Sequence, residues 1–354
     1  MQFKFEPGVA AALAAAVLFG ASTPLAKPLL AQTGPWLLAA LLYLGSGLGL
    51  LMARRLRGEP AVILERSERW WLAGAILAGG VVGPVLLMLG LSRLPAADVS
   101  LLLNAEGVMT ALLAWFAFKE NFDRRIALGM LAIVVGSLVL SWPQSGQKAG
   151  DLGDWWPALA VLGACLAWGI DNNLTRKASL SDASYIAMTK GLAAGATNLV
   201  LALLAGASWP GMGPVLAAGL LGFASYGASL VLFVLGLRHL GTARTGAYFS
   251  VAPFVGAVLA IGMLGESVTW QLLLAGLLMA VGVALHLTER HDHEHRHEVL
   301  EHDHEHTHGA GDLHHTHLHV PPVPPGTRHS HAHRHEALTH SHGHFPDAHH
   351  RHGH

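Results

Sequence analysis

The chain has 354 residues, of which 52% are hydrophobic, and its formal net charge at neutral pH is −1. This composition is too apolar for an ordinary soluble domain, and there is no long basic patch to indicate a nucleic-acid partner. A single cysteine, Cys165, excludes an intramolecular disulfide and argues against a thiolate metal site. No Gly-rich phosphate loop or paired catalytic motif is present, so we do not expect an enzyme.

Ten apolar runs follow one another before residue 288. A bilayer requires about 20 residues per α-helix, and lipid cannot satisfy the polar edge of an open strand. We therefore predict an all-α membrane protein, with the lipid bilayer as its first partner. The predicted helices are 8–30, 35–53, 70–91, 97–118, 124–142, 155–176, 183–205, 212–236, 243–264 and 268–287.

Lys and Arg residues in the short loops predict the orientation of these helices. Of the 17 such residues before the tail, 13 lie on the side of the N-terminus, 3 lie on the opposite side, and Lys190 lies within a span. Positive residues accumulate in cytosolic loops. The protein is therefore predicted to lie in the inner membrane of a bacterium, with both termini in the cytosol.

An internal repeat divides the membrane part into two halves. Residues 90–140 align without gaps to residues 236–286, and Glu120 then matches Glu266. Each half holds five predicted helices, so the second half enters the membrane from the opposite side and the repeats are inverted. Inverted repeats around a midplane site are typical of secondary transporters. The predicted divisions are a first repeat, a second repeat and a tail, at 1–147, 148–287 and 288–354.

Each half also carries a Glu shortly after its fourth helix and two glycines further along. The residues concerned are Glu120, Gly129 and Gly136 in the first half, and Gly265, Glu266, Gly276 and Gly282 in the second. Together with Ala252-Pro253-Phe254, this pattern resembles the EamA family of the drug/metabolite transporter superfamily, over roughly residues 8–287. The resemblance implies a secondary carrier of a small molecule. The first half departs from the family in having Glu106-Gly107 where the second has Ala252-Pro253. Both Glu120 and Glu266 are expected to cap the helix that follows them.

Glu106 is the sharpest candidate for a functional residue, because it lies near the middle of the helix predicted at 97–118. An ionised carboxylate at that depth costs at least a few kcal/mol unless it is paired or hydrated. Glu106 could bind a substrate amine or carry a coupling proton. Alternatively, it forms a structural ion pair or is a protonated acid bonded to a neighbouring helix. Asn104, two residues earlier, is included in the candidate site.

Further polar residues lie within the predicted spans. A Lys as deep as Lys190 needs a carboxylate, with Glu106 or Asp171 as candidates, or a route by which it reaches the headgroups. The run 171–173 cannot hide on one helix face, although closeness to the cytosolic headgroups also explains it. Asn198 shares a helix face with Lys190, and it lines a cavity or bonds to a neighbouring helix. The residues added to the substrate or coupling site are Asp171, Asn172, Lys190 and Asn198.

The tail contains 23 of the 25 histidines. Its His-x-His arrays suit Ni, Zn, Co or Cu, but their spacing defines no closed tetrahedral site, and a disordered polar segment need not have a specific role. We predict a disordered tail that can chelate such metals, and no required cofactor. The candidate ligands are His291, His293, His295, His297, His302, His304, His306, His308, His329, His331, His333 and His335.

Two alternatives to a metabolite carrier involve this tail. The first is a transition-metal carrier or exporter, against which the predicted spans offer no cluster of His, Asp or Cys. The second is a membrane-bound protein that buffers or senses metal without moving it, against which the inverted repeat argues. The sequence indicates no particular oligomeric state.

Overall fold

The computed structural model describes residues 7–59, 62, 66–118, 124–142, 155–177, 182–240, 245, 248–287, 292–297, 300–307, 328–335 and 338–343. The chain divides into two compact units, Met1–Glu289 and Arg290–His354.

In its described residues the first unit is helical almost throughout. Two of its helical stretches contain a π-helical segment. The elements are α1 Pro7–Gly20, α2 Ser22–Thr33, α3 Pro35–Arg57, α4 Arg66–Ala75, the first π-helix Ile76–Val82, α5 Gly83–Arg93, α6 Ala96–Leu102, α7 Ala105–Phe118, α8 Arg124–Ser141, α9 Trp156–Lys177, α10 Ala183–Leu204, α11 Met212–Gly222, the second π-helix Phe223–Ala228, α12 Ser229–Leu240, α13 Ala252–Leu264 and α14 Trp270–Leu287.

Most of these helices can cross a membrane. Within the described part of the chain, seven stretches are long and apolar enough, namely Gly8–Thr33, Pro35–Arg57, Glu68–Arg93, Ala96–Leu113, Arg124–Ser141, Ser184–Leu204 and Met212–Gly236. Two shorter apolar helices follow, Ala252–Leu264 and Trp270–Leu285. The remaining predicted span corresponds to α9, which carries three consecutive polar residues in its last third. The all-helical membrane fold is thus confirmed, while the count of ten spans stays a prediction.

Glycines allow α3 to approach α10 closely. A Cβ atom added to Gly47 would lie 2.5 Å from the backbone nitrogen of Leu192, and one added to Gly191 would lie 2.7 Å from the backbone nitrogen of Gly47. Because lipid is as apolar as the side chains, such backbone contact is a main source of helix association in a membrane. The glycines of these helices are therefore part of the packing.

An ion cluster connects the same two helices at one end. The Arg54 side chain on α3 donates to Asp182 Oδ2 at 2.8 Å and to Ser184 Oγ at 2.7 Å, at the start of α10. Burial alone would raise the pKa of Asp182, but hydrogen bonds from Arg54 and from the backbone of Tyr185 and Ser184 outweigh it and lower that pKa. The Asp182 carboxylate is therefore ionised at neutral pH, and its stabilising contribution is lost only as the pH falls through the lowered pKa.

Two glycines in α11 provide a test of close packing between α11 and α3. A Cβ on Gly222 would lie 1.9 Å from the carbonyl oxygen of Leu42, whereas a Cβ on Gly219 would meet nothing within 4 Å. We expect Gly222→Ala to lower the free energy of unfolding by about 1–3 kcal/mol, because backbone must move. Gly219→Ala should be neutral or raise it by up to about 1 kcal/mol, because Ala favours helix. Thermal unfolding in detergent measures both, and equal effects would contradict this packing.

The π-helices and turns that interrupt the helices recur about 146 residues apart, which is the offset between residues 90–140 and 236–286 in the sequence repeat. The first π-helix covers residues 76–82 and the second covers residues 223–228, close to 146 residues later. A turn at Leu103–Asn104 separates α6 from α7, and a turn at Ser250–Val251 precedes α13. Interrupted helices occur in membranes where the backbone contacts protein or lines a cavity. The two halves are therefore interrupted at equivalent places.

One end of the bundle, here named the closed end, is held by two charged side chains that contact the turn between α5 and α6. Glu266 accepts hydrogen bonds from the backbone N–H groups of Ala96 and Ala97, and Lys27 donates to the carbonyl oxygens of Leu91 and Leu94. The prediction that Glu266 caps the helix that follows it is therefore wrong. Glu266 caps α6, which belongs to the other half, while Glu120 lies outside the described residues.

The described residues of the second unit are extended. They form four strands, β1 Asp292–His297, β2 Leu300–Thr307, β3 Arg328–His335 and β4 Leu338–Gly343. Antiparallel pairs form between β1 and β4 and between β2 and β3. These segments differ from the disordered tail predicted above. Alternation of His with another residue has the period of a strand, and the prediction gave that period no weight.

Candidate functional site

Glu106 lies in the first turn of α7, directly after the turn that interrupts this helical stretch. Its Oε1 accepts a hydrogen bond from the Asn172 side-chain amide at 3.0 Å, and the same nitrogen lies 3.3 Å from Thr110 Oγ1. Within the part of the chain that the structure describes, no cation forms an ion pair with this carboxylate. The start of α7 favours a negative charge through the helix dipole. Glu106 thus has neutral partners and a favourable dipole in place of a counter-charge.

The surroundings of Glu106 differ between α6, which precedes the turn at Leu103–Asn104, and α7, which follows it. Gly107 is exposed, and an added Cβ would meet nothing within 4 Å. Asn172 on α9 is also exposed. In α6, by contrast, Ser100 is 1% exposed and Leu102 is 1% exposed. The Glu106 carboxylate therefore lies between a buried helical segment and a segment that begins with an exposed glycine.

Lys190 pairs with Asp171 and not with Glu106. The Lys190 ammonium lies 2.6 Å from both carboxylate oxygens of Asp171, and Thr175 donates to Asp171 Oδ1 at 2.8 Å. The side chains of Lys190 and Asp171 are only 19% and 7% exposed. The charges of Lys190 and Asp171 compensate each other. Of the three ionisable side chains Lys190, Asp171 and Glu106, only Glu106 therefore has no partner of opposite charge among the described residues. Of the two partners predicted for Lys190, the structure selects Asp171.

Asn198 is fully buried and binds a carbonyl of the first π-helix. Its side-chain amide donates to the Gly80 oxygen at 2.9 Å. The neighbouring Gly79 oxygen accepts from the Tyr43 hydroxyl at 2.9 Å and from the Trp168 indole at 2.8 Å. The π-helix leaves these carbonyls available to other helices. Of the two roles predicted for Asn198, the interhelical bond is the one present. Tyr43 and Trp168 gave no signal in the sequence, because an aromatic residue in an apolar run resembles ordinary core.

Asn104 lies in the turn before Glu106 but points elsewhere. It is buried, and its amide donates to the Leu101 carbonyl at 2.9 Å and approaches the Met279 sulfur at 3.8 Å. These contacts hold the interruption between α6 and α7. The structure therefore brings Glu106 and Asn172 together, with Asp171 and Lys190 adjacent, and it places Asn104 and Asn198 in structural contacts.

A surface cavity lies apart from this site. Its volume is about 420 Å³, and it lies between α4 and the start of α10. None of the predicted site residues lines it. The lining residues are Val62, Arg69, Leu72, Ala73, Ile76, Tyr185 and Thr189. The free space that concerns Glu106 is the one at Gly107.

Among the described residues, no group of three or more His, Cys, Asp or Glu side chains is placed to hold a metal ion. Ten of the twelve predicted tail ligands fall on strands, while His291 and His308 lie outside the described residues. In the strand pairing, His302 lies opposite His333 and His304 lies opposite His331. His293 and His295 likewise oppose histidines of β4.

The long apolar helices described above define an integral membrane protein. A model of the EamA-like transporter family matches residues 6–142 and 155–288, and the chain belongs to that family. The two matched segments correspond to the two halves of the first unit.

Known relatives agree with this assignment. An uncharacterized transporter of Methanothermobacter thermautotrophicus is 26% identical over 297 residues, which are 78% of this chain and 84% of that protein. A Pseudomonas fluorescens protein, named as a probable 4-amino-4-deoxy-L-arabinose-phosphoundecaprenol flippase subunit ArnE, is 32% identical over 85 residues, which are 24% of this chain and 74% of that protein. A crystal structure with 20% identity shares the fold, with a TM-score of 0.60 over 78% of this chain and 95% of that one.

Proposed function

We propose that the protein is a secondary transporter that moves a small organic metabolite or xenobiotic across the bacterial inner membrane by alternating access. The observation that carries this proposal is the Glu106 carboxylate, which stands at a helix interruption beside free space and lacks a cationic partner among the described residues. The bias of Lys and Arg along the sequence supports cytosolic termini.

The charges at the site favour a substrate with a basic nitrogen. A carboxylate within a membrane is stable when it holds a proton, a cation or a polar network. Lys190 is engaged by Asp171, and no other cation among the described residues pairs with Glu106, so the proposed positive partner of Glu106 comes from solution. A protonated amine and a proton would compete for the same oxygens, so their exchange couples transport to the pH gradient. The substrate in the name of the Pseudomonas relative carries an amino group, which supports this choice.

Purified protein in proteoliposomes tests the proposal. A panel of small organic amines, with neutral and acidic metabolites as controls, is added under an imposed pH gradient. We expect protein-dependent uptake or proton movement with at least one amine, and none with empty liposomes. If acidic metabolites alone were transported, the assignment of Glu106 as the substrate carboxylate would be wrong.

We also propose that the tail binds divalent transition metals as a function separate from transport. Imidazole is a preferred ligand of these ions, and histidines of β2 are paired in register with histidines of β3. The absence of a metal-binding group among the described membrane residues gives no support to metal as the transported substrate.

Calorimetric titration with Ni²⁺ and Zn²⁺ tests metal binding by the tail. The full chain should bind several ions, and the affinity should fall below about pH 6 because protonated imidazoles do not ligate metal. Replacing His302, His304 and His306 by Asn should remove part of the capacity. Replacing the alternating acids Glu301, Asp303 and Glu305 by amides is the matched control and should leave it. Equal losses would mean that the acids, not the histidines, are the ligands.

A further inference from the structure

The contacts at the closed end connect the two halves of the protein. Glu266 Oε1 accepts from Ala96 N–H at 2.7 Å, and Oε2 accepts from Ala97 N–H at 2.8 Å. These are the first two N–H groups of α6, which have no acceptor within their own helix. A carboxylate at that position gains two charge-assisted hydrogen bonds and a favourable dipole. Glu266 follows α13, so a single side chain joins a helix of the first half to a turn of the second.

The segment that Glu266 holds is also the segment that seals the bundle. A Cβ added to Gly256 on α13 would lie 2.7 Å from Ser100 Oγ on α6 and 2.7 Å from the Gly20 carbonyl on α1. The three helices are therefore in close contact at Gly256. Ser100 Oγ is buried and has no hydrogen-bond partner among the described residues. Beyond the turn at Leu103–Asn104, free space begins at Gly107.

Alternating access, as proposed above, requires this sealed segment to separate from α13 while the opposite end closes. We infer that Glu266 is a gating residue, whose contact with Ala96 and Ala97 stabilises the conformation closed at this end. A contact shifts a conformational equilibrium only if it differs between the two states. The Glu266 bonds meet this condition, because they join α6 to the turn after α13 and separation of α6 from α13 breaks them. Lys27 on α2 contacts the same turn by donating hydrogen bonds to the carbonyl oxygens of Leu91 and Leu94.

The single cysteine makes the inference testable by site-directed labelling. Cys165 is buried and is replaced by Ala to give a background without thiols. Ser100→Cys then reports on the sealed segment, and Gly107→Cys reports on the free space. Each protein is purified as the full chain in nanodiscs, and its rate of reaction with a charged maleimide is measured. With Glu266 intact, the reporter at position 107 should react quickly and the reporter at position 100 slowly.

Glu266→Gln preserves the side-chain length but replaces one acceptor oxygen by a donor. We expect the labelling rate at position 100 to rise at least tenfold and the rate at position 107 to fall. Asp98, in the first turn of the same helix, lies close enough to Glu266 for the two negative charges to repel each other. Asp98→Asn therefore gives a contrasting variant: it removes that repulsion and keeps the Glu266 acceptors, so the labelling rate at position 100 should not rise.

Ala96→Pro removes one donor from the other side of the contact, so the test remains available if Glu266→Gln does not fold. Proline is tolerated at the first position of a helix, and Pro95 already has an extended ψ of 143°, which a following proline requires. Ala96→Pro should also raise the labelling rate at position 100 and lower the labelling rate at position 107. Unchanged rates in both variants, or a rise at both positions, would overturn the inference, since the second result indicates local unfolding. Labelling needs no substrate, so its outcome is independent of the transport assay.

Discussion

Glu106→Gln should leave the protein folded and abundant but reduce amine transport at least tenfold. Glutamine keeps the size of the side chain and can still accept the hydrogen bond from Asn172. It cannot ionise, so it offers neither a counter-charge to an amine nor a site for the exchanged proton. A loss of one ionic hydrogen bond, worth about 1.5–3 kcal/mol, corresponds to roughly ten- to hundredfold in affinity.

Two controls separate charge from packing in this experiment. Glu106→Asp retains an ionisable carboxylate and should keep part of the activity. Asn172→Ala removes the side-chain amide that donates to Glu106 and should alter the pH dependence of uptake more than its maximal rate, because that hydrogen bond favours the ionised acid. Transport rates in proteoliposomes between pH 5 and pH 8 provide the measurement. Wild-type uptake by Glu106→Gln throughout this range would assign the carboxylate a structural role.

Breaking the ion pair between Lys190 and Asp171 should have the largest effect on stability. Both side chains are mostly buried and lie 2.6 Å apart. Removing one partner leaves the other as an uncompensated buried charge, which typically costs about 3–5 kcal/mol. Lys190→Met should therefore lower the unfolding temperature strongly. Asp171→Asn should do so as well, although its amide still offers one acceptor to Lys190.

The double variant Asp171→Asn/Lys190→Met distinguishes this explanation from a simple packing loss. With both charges removed, no buried ion remains, so we expect stability much nearer to the wild type than either single variant. Unfolding in detergent, followed by a fluorescent thiol reagent or by circular dichroism, gives the four values of the cycle. Additive losses in the double variant would show that each residue acts independently and that the pair is not the source of the stability.

The sequence predicted the helical class well because apolar runs of this length have one stable conformation in lipid. It also proposed Glu106 and the run containing Asp171 and Asn172 as site residues, because polar residues are conspicuous in such runs, and their role in transport stays a prediction. Periodicity alone could not choose between Glu106 and Asp171 as the partner of Lys190. That choice depends on the distance between α9 and α10, which is set by packing.

Other contacts could not be predicted from the sequence of any one helix or loop. Glu266 was assigned to the wrong helix because a capping pattern is read along the chain, whereas its donors lie about 170 residues away. The π-helices were not predicted, because nothing in an apolar run distinguishes them from the α-helix around them. Two carbonyls of the first π-helix, those of Gly79 and Gly80, accept from Tyr43, Trp168 and Asn198, which lie on three other helices.

The pairing of Lys190 with Asp171 also bears on how membrane voltage acts on the carrier. Moving one elementary charge across the membrane changes the energy by about 2.3 kcal/mol for each 100 mV. Lys190 and Asp171 together carry no net charge, and in the proposed cycle Glu106 is neutral whether it holds a proton or a monovalent cation. Exchange of one such cation for one proton then moves no net charge. The carrier would respond to the proton gradient alone, so a fully depolarised cell could still drive the transport.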